Sequence, residues 1–379
     1  PFKSGLASGN LDERVWQDYH RTLSELLLDS IREYAATAKK LGGLSRYQAH
    51  GSPGNLCDLY AASDIPETES FGSSAFDIPL VRVDEDYERE HFGRPDKMMM
   101  KFASSAANVS GKKLVSSETA TWLANHFKVS LSQIKPQVDE LFLGGINHII
   151  FHGSTYSPIS KPFPGRLFYA STNFNYHSHF AEYLPYLCKY IERVQSRLQE
   201  SGPDNNILLY FPVHAFWKSS GGEHKVLMFD VHKASDWLKR CENFDNLARI
   251  LDARGYSFDF ISDAQIAGLE FSGGSLKTSG GALYDAIVVP DSGQIPVHTY
   301  ENLLSLARAG AKIVFENRPP KDVDGYFNVS ERRARAEKIA AEIAAEKNVR
   351  VFTTMRGPKG ARHSVPLCST SRRKSIFIL

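Results

Sequence analysis

The sequence predicts an α/β protein with parallel sheets, built from two units that meet near residue 204. Strand and helix patterns alternate three times before that point, and five short apolar segments, most of them separated by helical stretches, follow it. Residues 201–206 (SGPDNN) have the composition of a linker. A chain of 379 residues with 42% hydrophobic and 23% charged residues is long enough for two or three globular domains.

The first unit opens with a long amphipathic helix, because apolar residues recur at helical spacing over residues 14–40 and Gly42 and Gly43 follow. Residues 51–94 are rich in Gly, Pro, Asn and Asp and predict a polar loop, and loops of this length in compact domains are usually functional. The other strands and helices expected before residue 204 cover 44–50, 97–108, 112–118, 134–142, 146–152 and 175–200.

The second unit is expected to be an open, doubly wound sheet of flavodoxin-like size, because five short apolar strands recur at strand–helix spacing. These strands cover 207–211, 257–261, 286–290, 312–316 and 349–353. The charged, alanine-rich segment 331–346 predicts a solvated surface helix. Residues 357–379 show no periodicity and predict a disordered tail. The domains are therefore expected at 1–203 and 204–356.

Charge and composition exclude several classes of partner and site. The chain has 45 Lys+Arg against 43 Asp+Glu. Seven of the basic residues and none of the acidic ones lie from Arg350 onward, so residues 1–349 contain 38 basic and 43 acidic residues. A mildly acidic body argues against a nucleic-acid surface. No apolar run approaches the roughly 18 residues of a membrane span. The four cysteines lie far apart without zinc-ligand spacing, so neither a disulfide framework nor a structural metal is expected.

Polar and aromatic residues gather at the expected carboxyl ends of the first unit's strands, where parallel α/β folds bind ligands. The polar candidates are His50, Asp64, Glu67, Glu69, Glu118 and His152. The aromatic ones are Phe71, Phe76, Trp122 and Tyr156. Carboxylates beside flat apolar rings with few cations favour a carbohydrate site, and glycosidic cleavage needs one carboxylic acid and one carboxylate.

Each candidate also has a structural interpretation. A glutamate that closes a strand is often an exposed charge, and histidines such as His50 and His152 more often form hydrogen bonds at the rim of a site. Asp64 and Glu67 flank a proline, and either residue could cap a helix. His177 forms an HxH pair with His179, but such a pair binds metal only together with further ligands.

Four segments in one order resemble glycoside hydrolase family 106, the α-L-rhamnosidase-like enzymes of large bacterial polysaccharide-degrading proteins. They are RYQAHGSPGNLCDLY at 46–60, DIPETESFG at 64–72, KFASSAANVSGKKLVSSETATW at 101–122 and LFLGGINHIIFHGSTYSP at 141–158. The resemblance covers about residues 10–200. By pattern alone, residues 205–355 resemble the flavodoxin-like domain that follows the barrel in several glycosidases, including the family 42 β-galactosidases.

The resemblance implies a (β/α)8 TIM-type barrel that cleaves its substrate with inversion. It places Glu118 at the general acid and implies that the base lies on an earlier strand, upstream of the matched segments. It also implies that Glu67 and Glu69 bind sugar hydroxyls or a calcium ion. The expected partner is an oligo- or polysaccharide, with neither an organic cofactor nor a nucleic acid or membrane, and the expected location is periplasmic or secreted.

Three strand–helix units before the linker are fewer than the eight of a closed barrel. We therefore expect residues 1–203 to be the C-terminal portion of a barrel, with Pro1 inside it and five units missing. Two other functions stay open. One is a retaining β-galactosidase-like glycosidase in which Glu118 is the nucleophile, and the other is a non-catalytic carbohydrate-binding or assembly module.

Overall fold

A computed structural model describes residues 13–73, 78–79, 88–218, 228 and 230–353. In the first unit, four parallel strands form one sheet in the order β1-β2-β3-β4. The elements of this unit are α1 (Glu13–Lys40), β1 (Arg46–Gln48), α2 (Leu56–Ala61), β2 (Ile65–Phe71), α3 (Arg89–Phe92), α4 (Lys97–Ser110), β3 (Ser116–Thr121), α5 (Leu131–Leu143), β4 (His148–Phe151) and α6 (Leu184–Glu200).

The second unit contains a parallel five-stranded sheet in the order β12-β11-β10-β5-β6 and a small antiparallel sheet, β7-β8-β9. Its elements are β5 (Ile207–Tyr210), α7 (Val213–Phe216), α8 (Ala234–Leu238), α9 (Glu242–Ala253), β6 (Phe258–Ile261), α10 (Asp263–Ala267), β7 (Glu270–Ser272), β8 (Ser275–Lys277), β9 (Leu283–Tyr284), β10 (Ala286–Val289), α11 (Val297–Ala309), β11 (Lys312–Glu316), α12 (Val329–Ala344) and β12 (Val349–Phe352). Strand order in the larger sheet is one of the two common doubly wound orders.

The five strands expected after residue 204 are all present, and the apolar runs of three of them are buried throughout. The segments ILLY of β5, FDFI of β6 and AIVV of β10 consist of buried residues throughout. Parallel strands covered on both sides require such continuous apolar sequences, which also makes them easy to recognise.

The expectation of a polar loop over 51–94 was wrong in part, because this segment contains the helix α2 and the strand β2. The first unit therefore has four strands rather than three. Strand β2 reads IPETESF, in which a proline and two glutamates obscure the strand pattern. Glu67 and Glu69 consequently lie on a strand that pairs with both β1 and β3, instead of on a loop.

Two further boundaries differ from the sequence prediction. The strand expected at 112–118 runs from Ser116 to Thr121, so Glu118 lies in its middle and not at its end. The helix expected at 175–200 begins at Leu184, where Pro185 occupies the first turn. Phe76 and the tail at 357–379 lie outside the described residues. In the part of the chain that is described, no helix is long and apolar enough to span a membrane.

Helix α4 joins the two units through a common apolar core. It contacts β2 of the first sheet and β6 of the second. Its Phe102 is fully buried, and the ring centroid lies 4.8 Å from that of Phe211 and 4.7 Å from that of Phe260. Asp96 caps the start of α4 by accepting a hydrogen bond from Met98 N.

Helix α1 binds the second unit at the carboxyl ends of its strands. The Gln17 side chain is buried there and donates hydrogen bonds to the His214 carbonyl (2.9 Å) and to Gln294 Oε1 (2.8 Å). The backbone N–H of Gly325 donates to Gln17 Oε1 at 3.0 Å. His214 and Gln294 follow β5 and β10, the two neighbouring strands between which the strand order reverses. Gln17 therefore fills the crevice at this reversal.

Candidate active site

Three glutamates share one face of the first sheet. Parallel pairing places Glu69 beside Glu118, and Gln48 beside Glu67. Residues two apart on a strand point to the same face, so Glu67 and Glu69 project together with their partners. The same face continues into β4, where Ile150 pairs with Glu118.

Glu118 is held between two polar side chains. Gln48 Nε2 donates a hydrogen bond to Glu118 Oε2 at 2.9 Å. The other carboxylate oxygen, Oε1, lies 3.7 Å from His152 Nε2. The side chains of Glu118 and His152 are each 29% exposed. The Glu118 carboxyl group is therefore oriented from both sides and still reaches solvent.

Glu69 lies in a different environment from Glu118, although the two are register partners. The Glu69 residue is only 9% exposed. Burial, together with the negative charge of Glu118, raises the pKa of Glu69 to about 8. At neutral pH the Glu69 side chain is therefore in its protonated, uncharged form.

Glu67 has its charge compensated within the protein. Its Oε2 accepts a hydrogen bond from Ser116 Oγ at 2.7 Å and lies 3.2 Å from Arg46 Nε. Glu67 therefore stabilises the junction of β1, β2 and β3, whereas Glu69 and Glu118 are register partners on adjacent strands. In the described ranges no group of three or more His, Cys, Asp or Glu side chains is arranged to hold a metal ion. The calcium site implied by the resemblance stays a prediction.

The backbone that follows Glu118 adopts left-handed conformations at two non-glycine residues. Ala120 has φ 65° and Trp122 has φ 48°. Ala120 N donates to Ser70 Oγ at 3.1 Å, and Thr172 Oγ1 donates to the Ala120 carbonyl. Such conformations persist only where surrounding contacts fix them, and they concentrate at functional sites. Here the contacts come from β2 and from the loop after β4.

A row of rings extends from His152 to Trp122, and we call these four residues the aromatic row. The centroid distances are 5.5 Å from His152 to Phe168, 4.8 Å from Phe168 to Tyr169 and 5.5 Å from Tyr169 to Trp122. On its other side Trp122 contacts the rings of Phe71, His91, Phe92 and His232. The row therefore connects the neighbour of Glu118 with a larger aromatic cluster.

The loop that carries Phe168 and Tyr169 is anchored directly after them. Ser171, Thr172 and Asn173 are only 1–2% exposed. Ser171 Oγ accepts a hydrogen bond from Gly153 N at 3.2 Å and donates one to the Gly153 carbonyl at 3.0 Å. These bonds fix the loop to the end of β4.

The structure brings together only part of the predicted site. Glu69, Glu118, His152 and Trp122 are linked by the contacts above. Asp64 precedes β2 and accepts hydrogen bonds from the backbone and hydroxyl of Ser45, at the opposite end of the strand.

His50 and Tyr156 also differ from the expected arrangement. His50 Nδ1 lies 3.4 Å from Thr68 Oγ1. Thr68 lies between Glu67 and Glu69 on β2, so its side chain points to the opposite face of the sheet. Burial lowers the pKa of His50 to about 3. Tyr156 is 79% exposed on the loop after β4, and no ring contact among the described residues joins it to the aromatic row.

Sequence reasoning missed Gln48, Phe168 and Tyr169. Gln48 lies two residues before His50 on the same predicted strand, and this alternation was the available signal. Phe168 and Tyr169 belong to a long loop in which many aromatic residues occur, so the sequence did not distinguish them.

A family profile described as alpha-L-rhamnosidase, that of glycoside hydrolase family 106, matches residues 6–215. A curated protein of Formosa agariphila, named "Putative beta-glucuronidase", is 23% identical over 313 residues, which are 82% of this chain and 23% of that protein.

Two solved structures resemble the chain in fold. The rhamnosidase from Novosphingobium sp. PP1Y superposes with a TM-score of 0.64 at 20% identity, over 88% of this chain and 28% of that one. The family 42 exo-carrageenase from Bacteroides ovatus gives a TM-score of 0.50 at 11% identity, over 88% of this chain and 45% of that one. The chain thus spans less than half the length of each of these relatives.

The parallel α/β fold is shared with the rhamnosidase structure, and the matched profile is that of a glycoside hydrolase family. Because the profile covers more than half of its residues, the chain belongs to glycoside hydrolase family 106.

Proposed function

We propose that this chain carries part of the active site of an α-L-rhamnosidase-type hydrolase, in which Glu118 protonates the glycosidic oxygen. The proposal rests on the position of Glu118, which reaches solvent between Gln48 and His152 while its register partner Glu69 is buried. A general acid must reach the substrate. Of the two paired carboxyls, Glu118 is the one that can do so.

Gln48 and His152 support this role by orienting the carboxyl group. An amide N–H on Oε2 fixes one oxygen, so a transferable proton would occupy Oε1, on the side of His152. A proton donor that is held in one orientation avoids the cost of reorganising during the reaction.

The second catalytic group is proposed to lie outside this chain. The resemblance implies an inverting enzyme whose base is on an earlier strand, and the chain spans only 28% of the Novosphingobium rhamnosidase. We infer a partial (β/α)8 barrel followed by a flavodoxin-like domain. Four parallel strands bounded by β1 and β4 support the first, and the doubly wound strand order supports the second.

The substrate is proposed to be a terminal rhamnoside of an oligo- or polysaccharide, and the location periplasmic or secreted. Calcium bound through Glu67 or Glu69 also stays a proposal. Titration of the whole protein with calcium in a calorimeter, repeated with Glu67→Gln, would test it.

Replacing Glu118 tests the catalytic assignment. In the whole protein, we expect Glu118→Gln to lower kcat/KM for an aryl α-L-rhamnoside by at least about 100-fold, because a general acid typically contributes that much. The amide still accepts and donates hydrogen bonds, so the thermal unfolding midpoint should stay near that of the wild type.

The control is Glu337→Gln, at an exposed position on α12, which should leave activity unchanged. Full activity of Glu118→Gln would remove Glu118 from the mechanism. Sugar binding by the unaltered protein without turnover would instead favour a non-catalytic module.

A retaining glycosidase is the second candidate, because Glu69 and Glu118 are paired neighbours on adjacent strands. The two carboxyls of retaining enzymes lie only ~5–5.5 Å apart, a separation that side chains at register-paired positions of adjacent strands can reach. Proton NMR of the first-formed sugar separates the candidates. The inverted anomer supports our proposal, and the retained anomer would make Glu118 a nucleophile or acid/base in a pair with Glu69.

A further inference from the structure

We propose that Trp122, Phe168 and Tyr169 form a binding subsite for the leaving-group residue of the substrate, and that this residue is a neutral sugar. The inference rests on the proposed function, because it takes Glu118 as the proton donor. Trp122 was expected at the substrate from the sequence, whereas Phe168 and Tyr169 were not.

Position is the first argument for this subsite. The proton donor of a glycosidase faces the glycosidic oxygen, and the leaving group departs on that side of the bond. His152 lies 3.7 Å from Glu118, and the row continues from His152 through Phe168 and Tyr169 to Trp122. A sugar attached through the protonated oxygen would therefore meet these rings.

Exposure is the second argument. Tyr169 is 68% exposed and Phe168 is 43% exposed, although the next residues of the loop are almost fully buried. Loop mobility does not explain the exposure, since Ser171 and Thr172 bind the backbone of Gly153 and Ala120. Apolar rings that are exposed and held in place mark ligand or partner surfaces, and a preorganised surface loses less entropy on binding.

Chemistry defines the class of ligand. Ring faces bind the C–H groups on the apolar face of a sugar, while the hydroxyls at its edge remain in water. Among the described residues no lysine or arginine stacks on the three rings, and their titratable ring neighbours are the imidazoles of His91, His152 and His232. A uronic acid would therefore meet no fixed cation on these rings. Tyr169 contacts Trp122 edge to face, at 87°, so the planes of the two rings are nearly perpendicular within one continuous aromatic surface.

The test compares two substrates of the whole protein that differ only in the leaving group. A disaccharide with a terminal α-L-rhamnosyl unit on a neutral hexose fills the subsite, whereas α-L-rhamnosyl fluoride does not reach it. We expect Tyr169→Ala and Phe168→Ala each to lower kcat/KM for the disaccharide by about fivefold to tenfold, mainly through KM. The value for the fluoride should change by less than about twofold.

Two variants serve as controls. Tyr186→Ala removes a tyrosine that is 72% exposed on α6 and should affect neither substrate. Tyr169→Phe keeps the ring and should retain most of the disaccharide activity. Thermal unfolding midpoints of all variants show whether the loop substitutions leave the fold intact.

The outcomes distinguish this subsite from the function on which it rests. Equal losses on both substrates, or no loss on the disaccharide, would overturn the subsite while leaving the hydrolase assignment standing. If the unaltered protein cleaves neither compound, the proposed function fails and the subsite with it. A selective loss on the disaccharide supports both.

Discussion

Glu69 and Glu118 are the same residue type at paired positions, and their surroundings make them chemically different. Glu69 is only 9% exposed and faces the charge of Glu118, so ionisation there is costly. Glu118 has an amide donor, an imidazole neighbour and access to solvent. This asymmetry leaves Glu118 as the carboxyl that a substrate can reach and Glu69 as its buried neighbour.

Glu69→Gln should remove any part of the activity profile that titrates near pH 8. The raised pKa makes Glu69 the carboxyl that loses its proton there and places a buried negative charge beside Glu118, whereas glutamine does not ionise. The measurement is kcat/KM for an aryl α-L-rhamnoside between about pH 5 and pH 9. An alkaline limb that is the same in wild type and variant would show that ionisation of Glu69 does not affect the reaction.

Stability gives this variant a second readout. The pKa of Glu69 is raised to about 8 in the folded protein, so the folded state binds the proton more tightly than the unfolded state does. The free energy of unfolding therefore falls as pH rises from the unfolded value of about 4.3 to the folded one, and it levels off above that. Glu69→Gln should lack this decline.

Residue types and strand ends predicted a carboxylate site near Glu118, His152 and Trp122, and the structure brings these residues together. The sequence could not assign Gln48, because its hydrogen bond to Glu118 spans 70 positions and depends on strand register. The sequence also could not exclude Asp64 from the site. Asp64 lies at the amino end of β2, and this is known only once the bounds of the strand are known. Both failures have the same cause, which is that side-chain contacts between strands are not encoded locally.

At the scale of the elements, the strands that could be predicted from the sequence are the buried ones. Strands of the second sheet were recognisable because both faces are covered and their residues are continuously apolar. Strand β2 was not predicted because Pro66, Glu67 and Glu69 interrupt the apolar pattern of a strand. A strand that carries functional side chains lacks the continuous apolar sequence that identifies a core strand.

Phe102→Ala in α4 should destabilise both units together by about 3–5 kcal/mol, because it removes a fully buried ring that contacts Phe211 and Phe260. Urea unfolding followed by tryptophan fluorescence and by far-UV circular dichroism checks this. Leu143→Ala, which truncates a side chain that is 79% exposed, is the matched control and should change stability by less than about 0.5 kcal/mol. Two separate transitions would contradict a shared core.

At the scale of the whole molecule, a buried charge cluster lies where α1 meets the second unit. His214 Nε2 is 3.3 Å from Asp263 Oδ2, and His214 Nδ1 is 3.2 Å from Asp324 Oδ2. Burial disfavours the charged imidazole, yet the two aspartates raise the pKa of His214 above its usual value. Bonds from His214, Thr299 and Tyr210 outweigh burial and lower the pKa of Asp263. The carbonyl of His214 is the group that Gln17 binds.

His214→Gln should cost about 3 kcal/mol at about pH 6, because it removes the cationic partner of the buried Asp263 carboxylate. Asp324 keeps Arg21 and Arg332, each at 3.6 Å. A raised folded pKa means that the contribution of His214 is complete below its unfolded value of about 6.5 and is lost as pH rises through the folded value. The difference between wild type and variant should therefore shrink toward about pH 9. Thermal unfolding at several pH values measures it.

His298→Gln replaces an exposed histidine and is the control for the imidazole itself. An energetic difference that stays constant across the pH range would mean that His214 is neutral in the folded protein. The lowered pKa of Asp263 adds a decline at the acid end, so the cluster stabilises the protein between the two limits.

Gln17 occupies the crevice between β5 and β10, which leaves the second unit without the usual ligand position of a doubly wound sheet. Doubly wound sheets usually admit a soluble ligand at this crevice. Here the three hydrogen bonds of Gln17 come from the polypeptide itself, and any incoming molecule would have to displace α1. In other doubly wound domains this crevice binds a cofactor, whereas here it binds α1 of the same chain. Substitutions that line the crevice would therefore alter how α1 docks on the second unit and not which ligand binds.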